Sequence, residues 1–125
     1  MRFPISSDTD IQSVLDQTHY LCQQHVTTEH IRIEVVTIVS ELVYNIVKYT
    51  VGGVVSIEHC NGSFVINADD EGSGFKPSLS LALQEGFSTG DSLGLGIPSL
   101  VRLADELDLE SSEQGTSIQI KKYIQ

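Results

Sequence analysis

Basic residues are scarce in this chain. Of 125 residues, seven are Lys or Arg against seventeen Asp or Glu, and the formal net charge is −10 at pH 7. A nucleic-acid binder needs a basic footprint, so the balance argues against that class and equally against docking on anionic lipid. Long apolar runs are missing too: none approaches the ~18 residues of a membrane span. Met1 to Asp10 lacks the apolar core of a secretory signal, so a cytoplasmic location is expected. The two cysteines, Cys22 and Cys60, are too few for a disulfide framework and show no paired spacing for zinc. They read as free thiols in a reducing compartment. His19, His25, His30 and His59 make no metal-ligand spacing and read as surface or helix-end residues. Also absent are a P-loop, a GxGxxG in the right strand context, and the HRD and DFG signatures of protein kinases.

What is present fits one domain over residues 1–125, long enough to bury a core without metals or disulfides. Arg2 to Ser6 reads as an edge strand with one proline. Ser7 or Asp8 can cap a helix in which Ile11, Val14, Leu15, Thr18, Leu21, Cys22 and Val26 recur at helical spacing to about His25. Thr27 or Thr28 can cap a second helix. Its apolar stripe is Ile31, Val35, Ile38, Leu42, Ile46 and Tyr49, widened by Val36, Val39, Val43 and Val47, which predicts deep burial. Gly52-Gly53 marks its end. Val54 to His59 alternates like a strand, Asn61-Gly62 predicts a hairpin turn, and Ser63 to Ala68 is the returning strand. Asp69 to Pro77 reads as a loop, Ser78 to Glu85 as a short helix, and Leu93 to Ala104 as a further helical stretch. Leu107 to Ser112 and Thr116 to Tyr123 complete the strands, joined by a turn at Gly115. The order predicts an α+β, two-layer sandwich: a mixed, mostly antiparallel sheet with about three helices on one face.

Four polar residues interrupt the second helix. Glu34, Glu41, Asn45 and Lys48 fall within a narrow arc beside the apolar stripe, at ~100° per residue. Glu41 and Asn45, four apart, are neighbours on one face. Alone this is an ordinary solvated edge. Three further segments change its weight. Asp70-Glu71-Gly72-Ser73-Gly74 follows a strand, Gly94-Leu95-Gly96-Ile97-Pro98 opens an apolar helical run, and Gly115-Thr116 lies between two strands. Each has a plain reading as a turn or loop. Glycines before a helix also allow backbone amides to approach phosphate closely.

In this order the motifs resemble the GHKL ATP-binding fold shared by gyrase-type ATPases, Hsp90, histidine kinases and MutL. The chain is most similar to the small serine/threonine kinases of bacterial partner-switching systems, the RsbT-like stressosome branch. Ser40 to Tyr49 matches the family's N-box, Asp70 to Gly74 its first glycine box, and Gly115-Thr116 its terminal motif. Glu85-Gly86-Phe87-Ser88-Thr89 through Leu93 to Pro98 and Arg102-Leu103 carries the features of that branch. The match departs at Ser92, where the phosphate-binding loop often has another glycine.

The resemblance implies ATP and Mg²⁺ as cofactors. It implies Glu41 as general base toward a Ser or Thr hydroxyl and Asn45 as an oxygen ligand to Mg²⁺. Asp70 would accept from the adenine amino group, with Gly72 and Gly74 letting the backbone pass close to the base. Gly94, Leu95 and Gly96 would bring backbone amides to the phosphates, and Thr116 would support the adenine end. Lys48 could add positive charge near the phosphates, its plainer reading being a surface lysine. By the same resemblance the partners are STAS-domain scaffold or antagonist proteins of a stressosome, with a downstream phosphatase or other effector. The free protein is expected to be a monomer. Two other functions stay open on the sequence: an anti-sigma factor that sequesters a sigma factor, and a nucleotide-sensing pseudokinase. The net charge is no obstacle to ATP, since screening over ~8 Å confines long-range repulsion.

Overall fold

A computed structural model describes residues 1–70, 97–112 and 114–125. Strand β1 (Arg2–Ile5) leads into helix α1 (Asp8–His25) and helix α2 (Glu29–Tyr49). Strands β2 (Gly53–Cys60) and β3 (Ser63–Asp70) follow, then helix α3 (Ile97–Leu103) and strands β4 (Glu106–Ser112) and β5 (Gly115–Tyr123). The strands form one sheet in the order β1-β2-β3-β5-β4, and its pairings are antiparallel.

Local chemistry explains most of the boundaries. The Asp10 carboxylate accepts from the N–H groups of Ser6 at 2.9 Å and Ser7 at 3.1 Å, closing the start of α1. Those backbone donors hold the Asp10 carboxyl below the usual carboxylate range, Ser6 contributing most. At the end of α2 the work falls to Thr50 rather than to Gly52-Gly53. Its N–H and its hydroxyl both donate to the Ile46 carbonyl, at 3.1 and 2.7 Å, and the hydroxyl accepts from the Gly52 N–H at 3.0 Å. Asn61 and Gly62 both have positive φ, +43° and +85°, the backbone of a type I′ hairpin that joins Cys60 to Ser63.

Strands β2 to β5 run further than their sequence suggests, β2 and β3 by the most. Asp69 and Asp70, expected in a loop, continue β3, because Val54 and Gly53 pair with them and Ser117 pairs with Asp69 from the other side. Gly115, expected in a turn, is the first residue of β5 and pairs with Ser112. The expected helix at 78–85 and the first residues of the 93–104 stretch lie outside the described residues.

The core lies between the sheet and the helices. Alternate strand positions, Val55 and Ile57, Phe64, Ile66 and Ala68, Ile118 and Ile120, face the helices and are buried. From α2 come Val35, Ile38, Val39, Leu42, Val43 and Ile46, each at most 3% exposed. Each such side chain stabilises the fold by about 1.5–3 kcal/mol. Several intervening strand positions are polar: Asn67, Ser117 and Gln119 lie on the opposite face, where Gln119 donates to Asn67 at 3.0 Å. Among the described residues, no helix is long and apolar enough to cross a membrane.

Candidate functional site

The α2 stripe anchors the helix and thereby fixes the polar residues beside it. Glu41 lies off that stripe yet is only 6% exposed. Burial pushes its carboxyl above the ordinary carboxylate range, because the charged form loses water. Asn45, one turn later, is half-buried, and Lys48 is exposed. The arc predicted from spacing is therefore graded: a desolvated acid, a partly open carboxamide, then a surface cation.

The strands deliver the second group. Asp70 continues the alternation of Phe64, Ile66 and Ala68, and Thr116 that of Ile118 and Ile120, so both side chains lie on the face that packs against the helices. Asp70 is half-buried and Thr116 buried. They are brought together by the pairing of β3 with β5. A β-carbon on Gly115 would collide with the Asp70 carbonyl oxygen and stand 3.5 Å from its Oδ1. The φ of Gly115, +147°, also favours glycine.

An open cavity of about 410 Å³ lies at these strand ends, lined by Asp69, Asp70, Glu110, Gln114, Gly115, Thr116 and Ser117. Asp70 and Thr116 line it from the helix-facing side of the sheet, and Asp69 and Ser117 from the opposite face. Sequence reasoning found Asp70 and Thr116 but missed Asp69, Glu110, Gln114 and Ser117. Glu110 and Gln114 flank the Gly115 motif in the chain, a signal that was available. The hydrogen bond from the Ser117 hydroxyl to Asp69 joins residues far apart in sequence and left no local trace.

Gly72, Gly74, Gly94, Leu95 and Gly96 lie outside the described residues. Among the described residues there is no cluster of three or more His, Cys, Asp or Glu side chains able to hold a metal by themselves. Asn45 carries a neutral side-chain oxygen, a donor type that Mg²⁺ accepts where phosphates supply most of its ligands. His25 and His59 stack on each other with ring centroids 4.0 Å apart, and Phe64 meets both edge-on.

Comparison with known proteins identifies the family. Residues 6–122 match the histidine kinase-like ATPase domain family. The chain is 37% identical over 95 residues to the serine/threonine-protein kinase RsbT of Bacillus subtilis (strain 168), covering 72% of this chain and 71% of RsbT. Its fold is similar to a chain in the crystal structure of the SiaB-SiaC complex from Pseudomonas aeruginosa, with a TM-score of 0.72 and 16% identity over 97% of this chain and 88% of that one. The chain belongs to the histidine kinase-like ATPase family, as an ATP-binding kinase domain of the GHKL type homologous to the serine/threonine kinase RsbT.

Proposed function

We propose that this chain is a single-domain serine/threonine kinase that transfers the γ-phosphate of ATP to a Ser or Thr of a STAS-domain protein in a partner-switching system. The reading rests on one observation above the others: a buried carboxylate, Glu41, held one helical turn from the carboxamide of Asn45 on a helix fixed by the core. A base for a hydroxyl proton gains from a raised proton affinity, and burial supplies it.

In this reading adenine enters the cavity at the strand ends, where Asp70 accepts from its amino group and Thr116 supports the base. By the family resemblance Gly72 and Gly74 would pass close to the base, and the phosphates would meet Asn45 and the backbone amides of Gly94, Leu95 and Gly96. Asn45 would hold Mg²⁺, which when bound neutralises part of the phosphate charge. Glu41 takes the proton of the acceptor hydroxyl as its oxygen attacks the γ-phosphorus. The bond from that phosphorus to the β,γ-bridging oxygen breaks, ADP leaves, and the Glu41 proton returns to water. The products are phosphoserine or phosphothreonine on the partner and ADP.

The homology to RsbT supports the kinase class, and the fold likeness to a chain of the SiaB-SiaC complex supports a protein partner. The chain would act in the cytoplasm, as a monomer when free, and pass to a downstream phosphatase or other effector once its substrate is phosphorylated. The test is incubation with Mg·ATP and STAS-domain proteins encoded nearby, followed by mapping of phosphorylated residues. Phosphoserine or phosphothreonine on a STAS partner is the expected result. A stable dimer that captures a sigma factor, without transfer to any STAS protein, would overturn it.

A further inference from the structure

Among the described residues of α2, the large apolar side chains left exposed are Ile33 at 58% and Tyr44 at 45%. At ~100° per residue their spacing brings them within about 20° of each other round the helix, ~16 Å apart along it. Both lie opposite the buried Val35, Leu42 and Ile46. Thr37 stands between them on the same ridge, and its hydroxyl is turned back to donate to the Ile33 carbonyl at 2.8 Å. The outer edge of α2 is thus a short ridge of isoleucine, threonine and tyrosine, where a surface helix ordinarily carries charge.

The helix itself does not call for these side chains. Isoleucine and tyrosine are middling helix formers, and an exposed apolar group gains nothing from the core. One such group alone is ordinary. Two in line beside a buried acid are not explained by packing. Tyr44 follows Glu41 by three residues, about 60° round the helix, so the ridge borders the side of α2 on which Glu41 lies. Glu41 is only 6% exposed, so an acceptor hydroxyl has to be carried in to it. A protein that delivers one lies over the neighbouring ridge.

Charge selects the occupant. A second copy of this chain carries the same net charge of −10, and like charge disfavours that encounter. A basic rim is attracted instead, and an apolar centre inside it covers the ridge, with tyrosine among the commonest interface anchors. We infer that the ridge of Ile33, Thr37 and Tyr44 is the docking surface for the protein substrate: a STAS-domain protein that presents an apolar patch beside its acceptor Ser or Thr, within a basic rim. Tyr44 anchors the end nearest Glu41 and Ile33 the far end. The inference rests on the kinase reading above and adds where the substrate sits.

Steady-state transfer from Mg·ATP to the STAS-domain protein that the wild type phosphorylates tests it, with kcat and KM for that protein measured in Tyr44→Ala, Ile33→Ser, Tyr44→Phe and Tyr20→Ala. Tyr20 is similarly exposed, on α1, and serves as the control. Tyr44→Ala and Ile33→Ser should each raise KM for the protein substrate about tenfold, the loss falling on KM rather than on kcat, with ATP affinity by calorimetry as in the wild type. Tyr44→Phe keeps the ring and should stay within about twofold, as should Tyr20→Ala. The wild-type KM should rise with salt, as an acidic surface meeting a basic one requires. Urea unfolding checks that the variants fold, and if one ridge variant does not, the other decides. Unchanged KM in the folded ridge variants, an equal rise in Tyr20→Ala, or a KM indifferent to salt overturns the inference. So does a wild-type dimer that Tyr44→Ala separates, which gives the ridge to a second copy. Absence of transfer by the wild type to any STAS protein overturns the kinase reading itself, and the inference with it.

Discussion

Gly115 lies so close to Asp70 that a β-carbon on the glycine would overlap the Asp70 carbonyl oxygen. This contact joins the end of β3 to the start of β5 and forms one wall of the cavity. Gly115→Ala must push the two strands apart while also straining a positive φ. It should destabilise the fold by roughly 1–3 kcal/mol in urea unfolding and weaken ATP binding in the fraction that folds. Unchanged stability would mean that the strands part without cost.

Burial of Glu41 gives two pH dependences of opposite sense. Only the carboxylate can take a proton, so the phosphotransfer rate should climb with pH through a value above the ordinary carboxylate range. Stability should move the other way. The folded chain holds the Glu41 proton more tightly than the unfolded chain does. The contribution of this group is therefore fully present below its unfolded pKa and is lost as pH rises through the folded one. Glu41→Gln removes that loss. The variant should be more stable than the wild type at neutral pH, with the gap closing as the solution is acidified toward the ordinary carboxylate range. Denaturant midpoints measured across that range check the sign.

Asp70 is proposed to read the adenine amino group. Asp70→Asn substitutes a carboxamide that can also turn a donor toward the ligand. The preference for ATP over GTP should then fall, by about tenfold for the loss of one hydrogen bond to a charged group. Competition binding with the two nucleotides measures it, and an unaltered preference would place the base elsewhere.

Asn45→Ala removes the proposed Mg²⁺ oxygen without touching the apolar stripe of α2. ATP affinity in the presence of Mg²⁺ should drop by about tenfold, and affinity in chelator should change little. Equal losses in both conditions would indicate a structural role for the carboxamide.

Much of this arrangement was legible from local pattern. The stripe from Val35 to Ile46 marked a buried helix, and Asn61-Gly62 marked the hairpin with its two positive φ angles. Helical periodicity put Glu41 and Asn45 on one face of α2, while their roles came from the family resemblance. What escaped was set by partners distant in the chain. Asp69 and Asp70 extend β3 because Gly53, Val54 and Ser117 pair with them. His25 and His59 read as separate surface residues, yet β2 and the end of α1 bring their rings into a stack. The contact between Lys122 and Glu34 spans most of the chain, and no spacing rule could reveal it. The role of Thr50 at the helix end was missed for another reason: a hydroxyl that donates to the carbonyl one turn back looks like any other threonine in the sequence.

The central claim is that Glu41 is the base of a phosphoryl transfer to protein. Single-turnover assays with γ-labelled ATP and a STAS-domain partner, run in parallel on the wild type and Glu41→Gln, test it most directly. The account predicts that both bind Mg·ATP alike, while transfer to the partner falls by roughly 10²–10⁴-fold in Glu41→Gln. Near-normal transfer by a folded Glu41→Gln, or nucleotide binding by the wild type with no transfer to any STAS partner, would contradict it.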